Sequence, residues 1–180
     1  MDHKLLVLSG PSGAGIGDIV NALFAQRHDL STVTPVTARK MKAGEQDGVG
    51  FYFYDLEAWN AMKDSGELLE CTEFAGNDYG TSRRLVREQL ASGRHALLTL
   101  SVERAARLKA NMPEALCVYA EPSPDVLRRR YEALSRSALE LRVRLEEAER
   151  MRALSGFCDL HLCSDSIPDA AEALCALLDR

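Results

Sequence analysis

The segment Gly10-Pro-Ser-Gly-Ala-Gly-Ile-Gly-Asp18 follows an apolar run, Lys4 to Ser9, and precedes an amphipathic stretch. A glycine-rich turn between a strand and a helix cradles phosphate, because its backbone N–H groups and the helix N-terminus both favour an anion. The full phosphate-loop pattern is G-x-x-x-x-G-K-[ST]; its lysine reaches the outer phosphates and its hydroxyl ligates Mg²⁺. Gly10 and Gly15 keep that spacing, with Ser12 and Gly13 between them. Ile16 stands at the lysine position and Gly17 at the hydroxyl position. The chain therefore has the cradle without the ammonium or the metal ligand. Asp18 adds a carboxylate where a helix should begin, which suits the helix dipole. It reads either as a helix cap or as an internal stand-in for the anion, and both disfavour a bound triphosphate.

A second set of chemical groups is spread from residue 39 to residue 101. Arg39, Lys42 and Glu45 fall in a polar stretch, Thr37 to Gly50, and Phe51 follows it. Glu70, Tyr79, Thr81 and Ser101 come later. A guanidinium binds phosphate through fixed paired donors, and a carboxylate is an acceptor-only group suited to a ring with two adjacent donors. Taken alone, each of these residues also reads as a solvated loop or strand residue. The run Arg128-Arg129-Arg130 reads as a solvated helix face, and the following charged helix as one held by pairs such as Glu146–Arg150.

Alternating elements must position these groups. Asp18 to Arg27 puts Ile19, Val20, Leu23 and Phe24 on one helical face. Phe51 to Tyr54 reads as a short strand, and Asp55 as the cap of a helix ending at Gly66. Leu68 to Phe74 reads as a strand, Gly76 to Thr81 as a turn, and Ser82 to Ser92 as a helix. His95 to Ser101 and Leu116 to Ala120 are continuous apolar strands of the parallel-sheet kind. A charged helical region from Pro124 to Arg152 breaks near Ser135 to Ser137, a last strand spans Leu160 to Cys163, and Pro168 opens the final helix. Repeated strand-then-helix units imply an α/β fold, a parallel sheet covered by helices on both faces.

The chain has 180 residues, 46% of them apolar, enough for one domain with a real core. A net charge of −5 implies no basic face and argues against a nucleic-acid partner. Five cysteines without a C-x-x-C pair read as buried free thiols, and Cys158, His161 and Cys163 fall short of a zinc set. No metal ligand set is expected. No apolar run approaches membrane length and the N-terminus lacks a signal-peptide core, so no membrane association and a cytoplasmic location are expected.

Four segments, LSGPSGAG at Leu8 to Gly15, R-x-x-x-x-G-E-x-D-G-V at Arg39 to Val49, GELLE at Gly66 to Glu70 and GNDYGT at Gly76 to Thr81, occur together in an order and spacing that resembles the guanylate kinase family. The resemblance covers essentially the whole chain. It implies a P-loop NTPase-type three-layer α/β fold in one domain, with the core at about 1–30, 80–132 and 142–180, an inserted nucleoside-monophosphate-binding lobe at about 31–79 and a short lid at about 133–141. It implies that Arg39 and Tyr79 contact the phosphate of GMP, that Glu70 accepts from the guanine N–H edge, and that Thr81 meets the guanine carbonyl. Lys42, Glu45, Phe51 and Ser101 fall in the same GMP and phosphate set, and Arg136 and Arg142 are the catalytic candidates near the lid.

Departures from the family pattern cluster on one side. Ile16 and Gly17 replace the loop lysine and hydroxyl, Thr99 and Ser101 replace two aspartates, and the lid is about a residue short. Lys42 replaces an arginine, Phe51 a tyrosine, Pro35 a serine, Ala38 a threonine and Arg104 a glycine; Ser164 stands where an asparagine is frequent. The resemblance thus points to a GMP or phosphate-binding lobe with weak or lost ATP-dependent phosphorylation of GMP, and with Mg²⁺ and ATP as cofactors only if the protein is active. Two alternatives stand beside it. One is a phosphopeptide-binding or scaffold module with a protein partner, to which Pro35 points. The other is an active nucleotide or sugar-phosphate kinase using non-standard residues such as Lys42 or a lid arginine.

Overall fold

The structure is a computed structural model and describes residues 3–180. The elements in chain order are β1 (Leu5–Ser9), α1 (Ile16–Gln26), β2 (Leu30–Thr32), β3 (Val36–Thr37), β4 (Tyr52–Phe53), α2 (Leu56–Asp64), β5 (Leu68–Phe74), β6 (Asn77–Ser82), α3 (Arg83–Ala91), β7 (His95–Thr99), α4 (Val102–Asn111), β8 (Leu116–Glu121), α5 (Pro124–Leu134), α6 (Ala138–Leu154), a 3₁₀ turn (Ser155–Phe157), β9 (Leu160–Cys163) and α7 (Ile167–Leu178). Five strands form a parallel sheet in the order β2-β7-β1-β8-β9. Helices cover both of its faces, which is why β1 is an unbroken apolar run. Leu5 and Val7 point to one face with Ala96, Leu98, Ala105, Leu108 and Val86. Leu6 and Leu8 point to the other with Ile19, Leu23, Ala171 and Leu174, where α1 and α7 lie. This is the layered α/β fold that the alternating pattern predicts, of the P-loop type that the family resemblance implies.

A second sheet, in the order β4-β3-β6-β5, is built from strands between β2 and α3. It is mixed: β3 runs parallel to β4 and antiparallel to β6, and β5 and β6 form an antiparallel hairpin. Its small core is Val36, Trp59 and Leu68, so Trp59 is a core residue as its size suggests. Asp55 caps α2 by accepting from the Ala58 amide at 2.8 Å, and Ser82 caps α3 through the Leu85 amide.

Several sequence expectations need correction. Gly76 to Thr81 is not a turn; Asn77–Ser82 is a strand, and the turn is Ala75-Gly76, both at positive φ. The Asn, Asp and Gly residues that suggested a turn are held extended by their ladder with β5, a tertiary pairing that local propensity cannot report. Helix α1 begins at Ile16, with Gly15 at its cap in the left-handed region, so Asp18 lies in the first turn and is not the cap. Helix α4 had no sequence expectation, yet Ser101 caps it. Arg150 pairs with Glu147 and Glu103 rather than Glu146, which lies 3.6 Å from Arg142. Cys117 is buried but Cys163 is exposed, so the thiols are not uniformly internal. Burial pushes the thiols of Cys117 and Cys158 up to about 11 and about 12.

Candidate functional site

The loop from Gly10 to Gly15 leaves the C-terminal end of β1, at the centre of the parallel sheet, and feeds the N-terminus of α1. Its carbonyls are tied back to the core. The Tyr131 hydroxyl donates to Ser12 O at 2.6 Å, Arg130 Nη1 to Gly13 O at 2.7 Å, and Ser164 Oγ to Ala14 O at 2.9 Å. Arg130 also donates to Ser164 O, so one guanidinium joins the loop to the end of β9. Gly10 has no room for a side chain, because a Cβ there would lie 2.2 Å from the Ala120 carbonyl oxygen. The cradle is thus held rigidly. Its chemistry is another matter. Ile16 is half-buried, packs against the core beneath α1, and brings its Cδ1 within 3.1 Å of a Cβ built on Gly10. Gly17 and Asp18 are exposed. Thr99 is exposed at the end of β7, and Ser101 spends its hydroxyl on the α4 cap. No ammonium stands at the position of Ile16, no hydroxyl at that of Gly17 and no carboxylate at the strand end, where Thr99 and Ser101 stand, so these positions do not fit a Mg²⁺-bound triphosphate. Among the described residues, no three His, Cys, Asp or Glu side chains gather as a metal site.

The second sheet gathers the other predicted residues into two ion pairs. In the first, Arg39 faces Glu45 through two parallel bonds, Nη1 to Oε2 and Nη2 to Oε1, each 2.7 Å. The Lys42 amide also donates to Glu45, while its side chain is exposed. Arg39 lies over the rings of Phe51 and Phe53 at 5.4 and 5.1 Å, and Phe51 in turn stacks on Tyr79 at 5.6 Å. The guanidinium holds the Glu45 carboxyl well below its ordinary range, at about 2, with the Lys42 amide adding to the effect. This is a largely covered cation of defined orientation, paired with a carboxylate that is itself 30% exposed; a guanidinium held this way has the fixed paired donors that suit an anion.

In the second pair, Glu70 on β5 has a side chain with no exposed surface. Thr81 Oγ1 donates to its Oε1 at 2.7 Å. Arg104, from the first turn of α4, donates from Nε to Oε2 at 2.7 Å and from Nη2 to Oε1 at 2.9 Å. The carboxylate accepts three hydrogen bonds from inside the chain. Between the two pairs lies an open cleft of about 620 Å³ walled by Pro35, Phe51, Thr72, Phe74, Tyr79 and Arg104. A smaller recess of about 180 Å³, under the tips of the parallel sheet, is bounded by Pro35, Thr81, Thr99 and again Arg104.

The residues placed near the lid do not join these groups. Helices α5 and α6 are separated by three residues, Ser135 to Ser137. Arg136 is exposed and its amide donates to Glu140, and Arg142 is exposed on α6. Arg144 instead lies over Tyr131 and pairs with Glu140.

The guanylate kinase family profile matches residues 2–180, all but one residue of the chain. The chain belongs to the guanylate kinase family. A guanylate kinase of Thermobifida fusca (strain YX) is 38% identical over 97% of this chain and 90% of its own length. One of Streptomyces kasugaensis is 36% identical over 98% of this chain and 87% of its own. The crystal structure of guanylate kinase from Anaplasma phagocytophilum superposes with a TM-score of 0.65 at 24% identity, over 98% of this chain and 85% of that one, and shows the common fold. Shikimate kinase from Bacteroides thetaiotaomicron follows at 0.53 and 15% identity, over 98% of this chain and 99% of that one, again a likeness of fold alone.

Within this guanylate kinase framework, two contacts were not legible in advance. Arg130 sits in a run of three arginines that looks like any solvated face, and only the packing of α5 on the loop singles it out. Arg104 stands on the first turn of α4, a helix not expected from the sequence, and nothing local joins it to Glu70, which is 34 positions away in sequence.

Proposed function

We propose that this guanylate kinase family member holds a phosphate-bearing ligand, with GMP the first candidate, in the cleft of the second sheet, and transfers phosphate from ATP to it weakly or not at all. The observation that carries this reading is Ile16: its side chain packs against the core at the point where an ammonium would follow the transferred phosphate. Loss of one preorganised stabilising group costs on the order of 10²–10³ in rate, and the missing hydroxyl and carboxylates deepen the loss. Arg39 supports the retained half, since its guanidinium lies over Phe51 and Phe53 and pairs with a carboxylate that is only partly buried. Phosphate can take the place of Glu45 at little structural cost. The reading extends to cofactors: relatives named guanylate kinases imply ATP and Mg²⁺ for the family, and this chain uses them poorly.

The test is a coupled assay with ATP, Mg²⁺ and GMP, run beside calorimetric titration of GMP and Mg-ATP separately. Saturable GMP binding that is lost in Arg39→Ala, with turnover at least a hundredfold below that of an ordinary guanylate kinase, is expected. Ordinary turnover by the wild-type chain sinks the proposal. A second reading, a phosphopeptide-binding module, is favoured by the apolar wall of Pro35, Phe51 and the exposed Phe74 beside the cation; retention of a phosphopeptide in preference to GMP would select it.

A further inference from the structure

Arg104 stands where the cleft meets Glu70, and its geometry bears on which ring the cleft accepts. A carboxylate reads a ring through two adjacent N–H donors aligned with its two oxygens. Arg104 already supplies such a pair, Nε and Nη2, at 2.7 and 2.9 Å. Thr81 supplies a third donor, so Oε1 accepts twice. The side chain of Glu70 is fully covered and that of Arg104 only 24% exposed, so Arg104 lines the cleft with Glu70 buried behind it rather than making a loose surface contact. Its guanidinium has five N–H donors and spends two on Glu70. The remaining donors belong to a residue that lines both the cleft and the recess. The floor that would have offered acceptors to a ligand therefore offers donors.

We propose that Arg104 is a specificity-determining residue: it occupies the ring-reading carboxylate Glu70 as an internal ligand and removes the cleft's ability to recognise the 2-amino donor edge of guanine. This inference rests on the proposed phosphate-binding cleft. Ligands are then selected by their phosphate, through Arg39, and by acceptor atoms on the ring, which Arg104 can meet. A guanine that enters keeps its ring carbonyl available to the guanidinium but finds no partner for its N1–H and 2-amino group.

GMP and IMP differ only in that 2-amino group, so their affinity ratio reports on Glu70 directly. Calorimetric titration of the wild-type chain, Arg104→Ala, Arg104→Lys and Arg39→Ala with each nucleotide is the experiment. The wild-type chain is expected to bind the two within about twofold, whereas Arg104→Ala prefers GMP by about tenfold or more, as one hydrogen bond to a charged group warrants. Arg104→Lys keeps the charge but loses the paired donors, and its ratio should lie between; it carries the test if the alanine variant does not fold. A tenfold GMP preference in the wild-type chain, or equal GMP:IMP ratios in all the Arg104 variants, overturns the inference. If those equal ratios come with binding that Arg39→Ala abolishes, the cleft proposal survives; if no protein binds either nucleotide, both fall.

Discussion

Replacing Arg104 with leucine removes the only charge that faces a carboxylate with no exposed side-chain surface. Breaking a fully buried ion pair costs about 3–5 kcal/mol, because the remaining charge is stranded. Water reaches Arg104 in part, and Thr81 still donates to Glu70, so the lower figure of about 2–3 kcal/mol applies here. For a chain of this size each kcal/mol moves the midpoint by about 2–4 °C, which gives a drop of about 5–10 °C. Glu70→Leu strands Arg104 less severely, since its long side chain can turn to solvent, but it leaves the Thr81 hydroxyl without an acceptor, at about 1–2 kcal/mol in total. The double variant removes both charges and fills the space with apolar atoms, so it should unfold only about 1 kcal/mol below wild type, the residue of the Thr81 hydroxyl. The coupling energy is then about 2–4 kcal/mol, measured by urea and thermal unfolding of all four proteins at pH 7. Single-variant losses that add to within about 0.5 kcal/mol of the double would refute the reasoning, for they would mean that the two side chains do not depend on each other.

Three other outcomes follow from the geometry. Gly10→Ala forces a Cβ into the Ala120 carbonyl and should cost about 2–3 kcal/mol, whereas Gly17→Ala, with nothing within 4 Å, should stabilise by about 0.5–1 kcal/mol; chemical denaturation of both variants checks the contrast. Arg27 bridges Asp29 and Asp179, and its guanidinium depresses the Asp29 carboxyl from 3.8 to about 2. A depressed carboxyl stabilises the fold above its unfolded value and loses that contribution as pH falls through the folded one, so wild-type and Asp29→Asn unfolding curves should be separated at pH 7 and converge between pH 4 and 2. Arg130→Met frees the Gly13 and Ser164 carbonyls, and amide hydrogen exchange should accelerate across residues 10–17 more than in the core strands.

The layered α/β fold was legible because both sheet faces are covered, which writes β1, β7 and β8 as apolar runs of the right length. The loop was legible because phosphate cradles need glycines at fixed spacing, and Gly10 has a Cβ-sized reason to be glycine. The helix cap at Asp55 is local chemistry and was read correctly; Ser82, read as the first residue of a helix, is the cap of α3. Strand β6 was misread because its residues favour turns and only the partner strand holds them extended. Strands β2 and β3 are three and two residues long, too short to show a period.

Sequence alone determined which groups are present and which are missing: a cradle without an ammonium at Ile16, a hydroxyl at Gly17 or carboxylates at Thr99 and Ser101. Those are statements about residue type, and no folding changes them. Only the tertiary structure decided what the retained groups are doing. Glu70 and Arg104 could each have faced a ligand; the packing of α4 against β5 brings them to 2.7 Å and spends each on the other. Arg39 and Glu45, six residues apart, meet through two parallel bonds on the second sheet. The two pairs differ in their carboxylates: the Glu70 side chain has no exposed surface and that of Glu45 is 30% exposed, and such burial is a property of the whole fold.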